Sequence, residues 1–182
     1  MGPRELERWR EDWALADGVR VACRPIRPDD AAIEQAFVRE LSAESRHNRF
    51  MAEIRELSPE MLARFTRINY PHDLALIVTR DGGAREQEIA VARYVALGVP
   101  RQCEFALAVA DGWQGRGVGY RLMQTLMRFA REAGFERMDG FVLAANHKML
   151  ELMRSLGFEI RPSDEGPQVR LATRPLQVES GA

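Results

Sequence analysis

The sequence predicts a single α/β domain: a mixed, mostly antiparallel sheet of six to seven strands flanked by helices. Three observations predict it. Short apolar and β-branched runs alternate with stretches of helical period along the whole 182-residue chain. Two of the earlier runs are joined through Asp81-Gly82-Gly83, a hairpin signal that makes this part antiparallel. After Val109 the order becomes strand, helix, strand, which leaves room for a parallel crossover around a glycine-rich turn.

The elements follow in order. Residues 5–15 read as a short helix with Trp9 and Trp13 four apart on one face, broken at Asp17-Gly18, so residues 1–18 are expected to form an N-terminal helical appendage to a domain spanning 19–182. Residues 19–23 alternate as a strand. Asp29 and Asp30 then offer N-caps for a helix over 31–41, and a second helical stretch starts near Ser42. Ser58-Pro59-Glu60 supplies a cap, a first-turn proline and a first-turn acid for a helix carrying Met61, Leu62, Phe65 and Ile68. Strands are expected at 74–79, 89–97 and 104–109. Beyond the glycine turn, Leu122, Leu126, Phe129, Ala130 and Ala133 form one face of a long helix stopped by Gly134. A strand at 138–143 follows, and then a helix capped by Asn146 that bears Met149, Leu150, Leu152, Met153 and Leu156. Strands near 158–161 and 169–176 close the chain.

Composition excludes several functions. Lysine plus arginine number 26 against 27 acidic residues, with no basic footprint for nucleic acid. Cys23 and Cys103 lie in apolar runs and His47, His72 and His147 are scattered, so no metal site is expected. No apolar run reaches the length of a membrane span and the N-terminus is not an apolar signal segment, which predicts a cytoplasmic protein without a membrane partner.

The chemistry concentrates in Val109-Ala-Asp-Gly-Trp-Gln-Gly-Arg-Gly-Val-Gly-Tyr-Arg121, a strand end running through glycines into a helix. Gly115, Gly117 and Gly119 leave the backbone unobstructed, so successive N–H groups at a helix N-terminus can meet a phosphate oxygen with the helix dipole behind them. A P-loop would need Lys-Ser or Lys-Thr after its last glycine, and Tyr120-Arg121 stands there instead. A dinucleotide fold calls for Gly-x-Gly-x-x-Gly and repeated βαβ units, neither of which is present. A ligand-free glycine turn is the remaining alternative, set against the backbone entropy that three glycines in five residues cost.

Gln114-Gly115-Arg116-Gly117-Val118-Gly119 resembles the acyl-CoA loop of the GNAT acetyltransferases, Gln/Arg-x-x-Gly-x-Gly/Ala, at every defined position. Asn146-His-Lys-Met-Leu-Glu-Leu-Met-Arg-Ser-Leu-Gly-Phe158 is similar to the family's closing motif, and the resemblance covers about residues 19–176. Within the superfamily the chain looks most like the bacterial protein-lysine acetyltransferases, through Arg24-Pro-Ile-Arg-Pro-Asp-Asp30, Leu41-Ser-Ala-Glu-Ser45 with Arg49-Phe50, Arg64-Phe-Thr-Arg-Ile-Asn-Tyr70 and Cys103-Glu-Phe-Ala-Leu-Ala-Val109.

The resemblance implies the GNAT fold, with a sheet splayed between its two central parallel strands. It implies acetyl-CoA as co-substrate, its diphosphate on residues 114–120 (Gln114, Gly115, Arg116, Gly117, Val118, Gly119 and Tyr120) and its pantetheine along Leu107, Ala108 and Val109. Asn146, Met149 and Met153 are expected near the cofactor, though Asn146 also serves as a helix cap and the methionines as core.

An amine acceptor must lose a proton before it attacks, and Glu104, flanked by Cys103 and Phe105, is the candidate base, or else a solvated edge glutamate. A backbone N–H near residues 107–109 would bind the oxyanion. Many family members protonate the leaving thiolate with a tyrosine seven residues after the motif asparagine. Met153 stands there in this chain, leaving water, Tyr94 or Tyr70. A protein lysine is the leading acceptor by resemblance, with a small amine, or a non-catalytic acyl-CoA-binding regulatory role, as alternatives. A homodimer is the common assembly of the fold.

Overall fold

The computed structural model describes residues 2–83 and 85–176. Fourteen helices and strands alternate among them: α1 (Pro3–Arg8), β1 (Glu11–Ala14), β2 (Arg20–Pro25), α2 (Ala31–Glu40), α3 (Ala43–Phe50), α4 (Pro59–Thr66), β3 (Asp73–Asp81), β4 (Glu86–Ala96), β5 (Gln102–Val109), α5 (Val118–Glu132), β6 (Arg137–Leu143), α6 (His147–Ser155), β7 (Glu159–Pro162) and β8 (Val169–Pro175). The strands form one eight-stranded sheet in the order β1-β2-β3-β4-β5-β6-β8-β7. Each neighbouring pair is antiparallel except β5 and β6.

Strand alternation divides the apolar residues between two cores. Leu74, Leu76, Cys103, Phe105, Leu107, Met138 and Val142 face Leu122, Leu126 and Phe129 of α5 and Leu150 and Met153 of α6. On the other face Ala75, Ile77, Val91 and Ala108 pack on Phe37 and Val38 of α2 and Phe65 of α4. Of the caps read in the sequence, Ser58 accepts from the N–H of Met61, whereas Asp30 makes no cap bond to α2 because its carboxylate is held by Arg24 and the Arg27 N–H; Ser42 at the start of α3 accepts from the N–H of Ser45. No helix among the described residues is long and apolar enough to cross a membrane.

The N-terminus departs from the expected helix over 5–15. Helix α1 ends at Arg8, and Glu11–Ala14 is an additional edge strand with Trp13 opposite Val21 of β2. The helical appendage is thereby corrected to a helix and strand built into the sheet. Trp13 is 1% exposed in the main core, and Trp9 meets Phe129 edge-on at 5.0 Å. Pairing with the open edge of β2 satisfies backbone groups and buries the indole together, outweighing the helical reading of the Trp-x-x-x-Trp spacing.

A β-bulge near Val78/Thr79 turns Glu88 of β4 toward α2, where it is 2% exposed and both carboxyl oxygens lack a partner among the described residues. Burial, the facing carboxyl of Glu34 and the charge of Asp30 push Glu88 well above its ordinary value of 4.5, while Arg24 pulls the other way. The fold therefore holds the protonated acid. This contribution is full below the ordinary carboxyl range and is lost as pH rises toward the raised folded value. Glu88→Gln is expected to flatten the decline of stability over the pH range that runs upward from the ordinary carboxyl value of 4.5. Denaturant midpoints measured across that range check this, and equal slopes for the two proteins would contradict it.

Candidate active site

Strands β5 and β6 are in register only at Gln102↔Arg137, Cys103↔Met138 and Glu104↔Asp139, whereas β4 and β5 stay paired as far as Ala90↔Val109. Glu104 is therefore the last residue of β5 held to β6 before the two strands part. Period-two alternation points its side chain away from Cys103 and Phe105, onto the face shared with Val95 and Asp139. It is half-buried. Burial, then the negative charges of Asp139 and Glu165, raise its carboxyl above the usual range. Asp139 is itself fixed, accepting from Arg137 Nε at 2.8 Å and Thr173 Oγ1 at 2.5 Å.

Glu104 opens on a cavity of about 700 Å³ between the sheet and helices α3 and α4, lined by Arg49, Phe50, Phe65, Arg93, Val95 and Ala106 among others. In the sequence Arg49 enters only through the Arg49-Phe50 pair of the resemblance, and neither it nor Arg93 is marked there as a site residue. They meet only once strand register and the placement of α3 are known, although an arginine between Ala92 and Tyr94 in an apolar strand was a signal.

The glycine loop is tied down around an exposed backbone. Asp111 accepts from the Ser42 N–H at 2.9 Å and from the Ser42 and Ser45 hydroxyls at 2.8 Å each. Burial opposes its charge, but these bonds outweigh it and hold the carboxyl below the usual range. Gln114 donates to the Val109 carbonyl at 3.2 Å and to Ser45 Oγ at 3.3 Å, and accepts from Lys148 Nζ at 3.3 Å, joining the loop to α3, β5 and α6.

Gly115 and Gly117 have φ of 73° and 81°, and a Cβ at either would meet nothing within 4 Å. That open space over a left-handed backbone at the start of α5 fits a phosphate. Gly119 serves packing: its missing Cβ would lie 3.3 Å from Val109 Cγ2 and from Leu152 Cδ2.

The remaining expected cofactor residues separate into two groups. The Arg116 side chain is engaged elsewhere, ion-paired with Asp17 and stacked at 4.2 Å on Trp113, so only its backbone faces the cradle. Val118, Leu107 and Ala108 have buried side chains, and Met153 is 0% exposed in the core beneath α6. Asn146 Oδ1 accepts from the Met149 N–H at 3.1 Å and so is a helix cap. Met149 and Val109 are half-buried at the core's margin, and Tyr120 is exposed beside a second cavity of about 440 Å³ with Arg131 and Arg174. Tyr94 is fully buried and donates to the Pro71 carbonyl at 3.2 Å, and burial raises its phenol, so it is not placed to protonate a thiolate.

Comparison with known proteins agrees with this geometry. The family model described as the acetyltransferase (GNAT) family matches residues 36–158. Acetyltransferase PA5475 of Pseudomonas aeruginosa is 39% identical over 168 residues, covering 91% of this chain and 88% of that protein. Acetyltransferase Pat of Mycolicibacterium smegmatis is 32% identical over 135 residues, spanning 74% of this chain but 40% of Pat. The crystal structure of the GNAT domain of S. lividans PAT superposes with a TM-score of 0.85 at 31% identity, over 96% of this chain and 99% of that one. With the splayed sheet and the glycine cradle in place, the chain belongs to the GNAT acetyltransferase family and is an acetyl-CoA-dependent N-acetyltransferase.

Proposed function

We propose that the protein acetylates the side-chain amine of protein lysines by direct transfer, with Glu104 as general base. The observation that carries this reading is Glu104 itself, a half-buried carboxyl raised in pKa at the point where β5 and β6 separate and at the wall of a cavity. A lysine ammonium loses its proton near pH 10.4 in water, and a carboxylate with raised basicity beside it lowers the barrier to that loss.

Bound acetyl-CoA supplies the thioester carbon that the amine attacks. Backbone N–H groups of Gly115, Gly117 and Gly119 would hold its diphosphate, and the unpaired edge of β5 at Leu107, Ala108 and Val109 would align its pantetheine and offer an oxyanion donor. With Tyr94 excluded, water or Tyr70 would supply the proton for the thiolate.

Protein lysine is favoured over a small amine by the similarity to the GNAT domain of S. lividans PAT across nearly all of both chains. The test is CoA release and acetyl-lysine mapping with whole-protein acceptors beside small amines. The protein's own single lysine, Lys148, keeps self-acetylation from obscuring the signal. Turnover confined to small amines would overturn the lysine assignment.

Direct transfer is supported by the state of the thiols. Burial and the Asp139 charge push Cys103 up to about 12, its Sγ lies 3.7 Å from the Arg137 carbonyl, and it faces the core side of β5. Cys23 is fully buried and raised as well. Cys103→Ala is expected to keep kcat within about threefold, with no acetyl-enzyme in intact-mass spectra. A variant without turnover but with native melting would argue for a covalent route.

A further inference from the structure

Four arginines line the cavity beside Glu104, and none has a carboxylate within ion-pair distance among the described residues; Arg64 and Arg67 are exposed to water, whereas Arg49 and Arg93 are not. Arg93 stands opposite Ala106 on the same sheet face as Glu104. The two are diagonal neighbours, about 7–8 Å apart along the sheet. Arg93 Nη2 donates to the Phe65 carbonyl at 2.6 Å and its guanidinium covers the Phe65 ring at 4.5 Å, while its buried Nε has no acceptor. Arg49 reaches in from α3, 4.9 Å from the Phe50 ring and 5.9 Å from that of Phe65. Burial and the charge of Arg93 push Arg49 down to about 10, and Arg93 is lowered too, by burial first.

The acids that act on these arginines do not neutralise them. Asp73 is engaged with the Asn69 N–H at 2.8 Å. Glu34 lies in the interior facing Glu88, whose carboxyl is pushed up by burial and by Glu34, and neither carboxyl lies within ion-pair distance of Arg49 or Arg93. Two desolvated cations around one aromatic ring are costly unless an anion completes them. A guanidinium pair is also suited to holding a carboxylate through charge-assisted bonds.

We propose that Arg49 and Arg93 form an anion subsite that grips a carboxylate on the acceptor while the acceptor's amine faces Glu104. The proposal rests on reading this cavity as the acceptor site. The carboxylate belongs either to an acidic side chain near the target lysine in a protein segment or to a free amino acid.

The test is equilibrium binding by calorimetry in the presence of CoA, with two ligand pairs: a lysine peptide flanked by Asp against the same peptide flanked by Asn, and an amino acid against its carboxamide. A charged hydrogen-bond pair predicts that the carboxylate member of a pair binds about 10–100-fold more tightly. Arg49→Gln, which spares the Phe65 contact made by Arg93, is expected to erase that ratio while melting like the wild type. Arg49→Lys should retain part of it.

Preference in the peptide pair assigns the carboxylate to a protein acceptor, and preference in the amino-acid pair to a small one. No preference in either pair, no binding of any of the four ligands, or a preference unchanged in Arg49→Gln overturns the subsite. Turnover measured in parallel separates the two questions: binding preference without any acetyl transfer would sink the Glu104 reading and leave the subsite standing.

Discussion

Glu104→Gln lowers turnover by ~10²–10⁴-fold on any acceptor the enzyme uses, the range expected when a general base is removed. The substitution is nearly isosteric, keeps the side chain on the face it shares with Val95 and Asp139, and leaves the glycine loop untouched. Affinity for acetyl-CoA should therefore change little, so the loss falls in kcat.

The pH profile gives an independent reading. The base acts only when ionised, so kcat/KM rises with pH through a limb that lies above the ordinary carboxyl range, as burial and the Asp139 and Glu165 charges require. In the Gln variant that limb is absent and only the titration of the amine remains. An unchanged rate in the variant would remove Glu104 from the chemistry.

Gly140→Ala is expected to cost about 1–3 kcal/mol or more by overpacking. A Cβ at Gly140 would lie 2.2, 2.5 and 2.6 Å from Cε1, Cζ and Cδ1 of Phe105. The ring has nowhere to retreat: Phe105 is 5% exposed and packs edge-on against Phe158 at 5.2 Å. For a chain of this length the melting temperature should fall by roughly 2–4 °C per kcal/mol.

Phe105 also immediately follows Glu104, so a displaced ring tilts the strand that carries the proposed base, and activity should drop with stability. Calorimetric melts of Gly140→Ala and of Gly140→Ala/Phe105→Leu check the cause, because the smaller side chain should restore part of the loss. A single variant as stable as the wild type would mean that the ring does not fill the space above Gly140.

The parts of this protein visible in its sequence are those that local physics dictates. Helix α5 reads directly, since its buried Leu122, Leu126 and Phe129 recur at helical spacing and glycines bound it at both ends. The cradle at Gly115 and Gly117 is likewise local, because positive φ at a strand-to-helix turn selects glycine. Strand β1 escaped because Trp9 and Trp13 fit a helix four apart, and only the free edge of β2 decides otherwise.

The acceptor cavity was out of reach for a related reason. Arg93 and Glu104 sit on adjacent strands, but their register had to be known to put them on one face, and Arg49 comes from a helix far earlier in the chain. Met153 shows the converse, a residue rightly located on its helix but turned wholly into the core.

Where β5 and β6 separate, the middle of the sheet holds two strand edges with unused peptide groups. At the rim of a sheet such edges invite other chains to pair, the route to aggregation. Here each edge is shielded by the strand across the gap and by the sheet continuing behind it. On the proposed reading that pantetheine lies along β5, saturating acetyl-CoA is expected to slow amide hydrogen exchange along β5 beyond Glu104, as a newly added strand would.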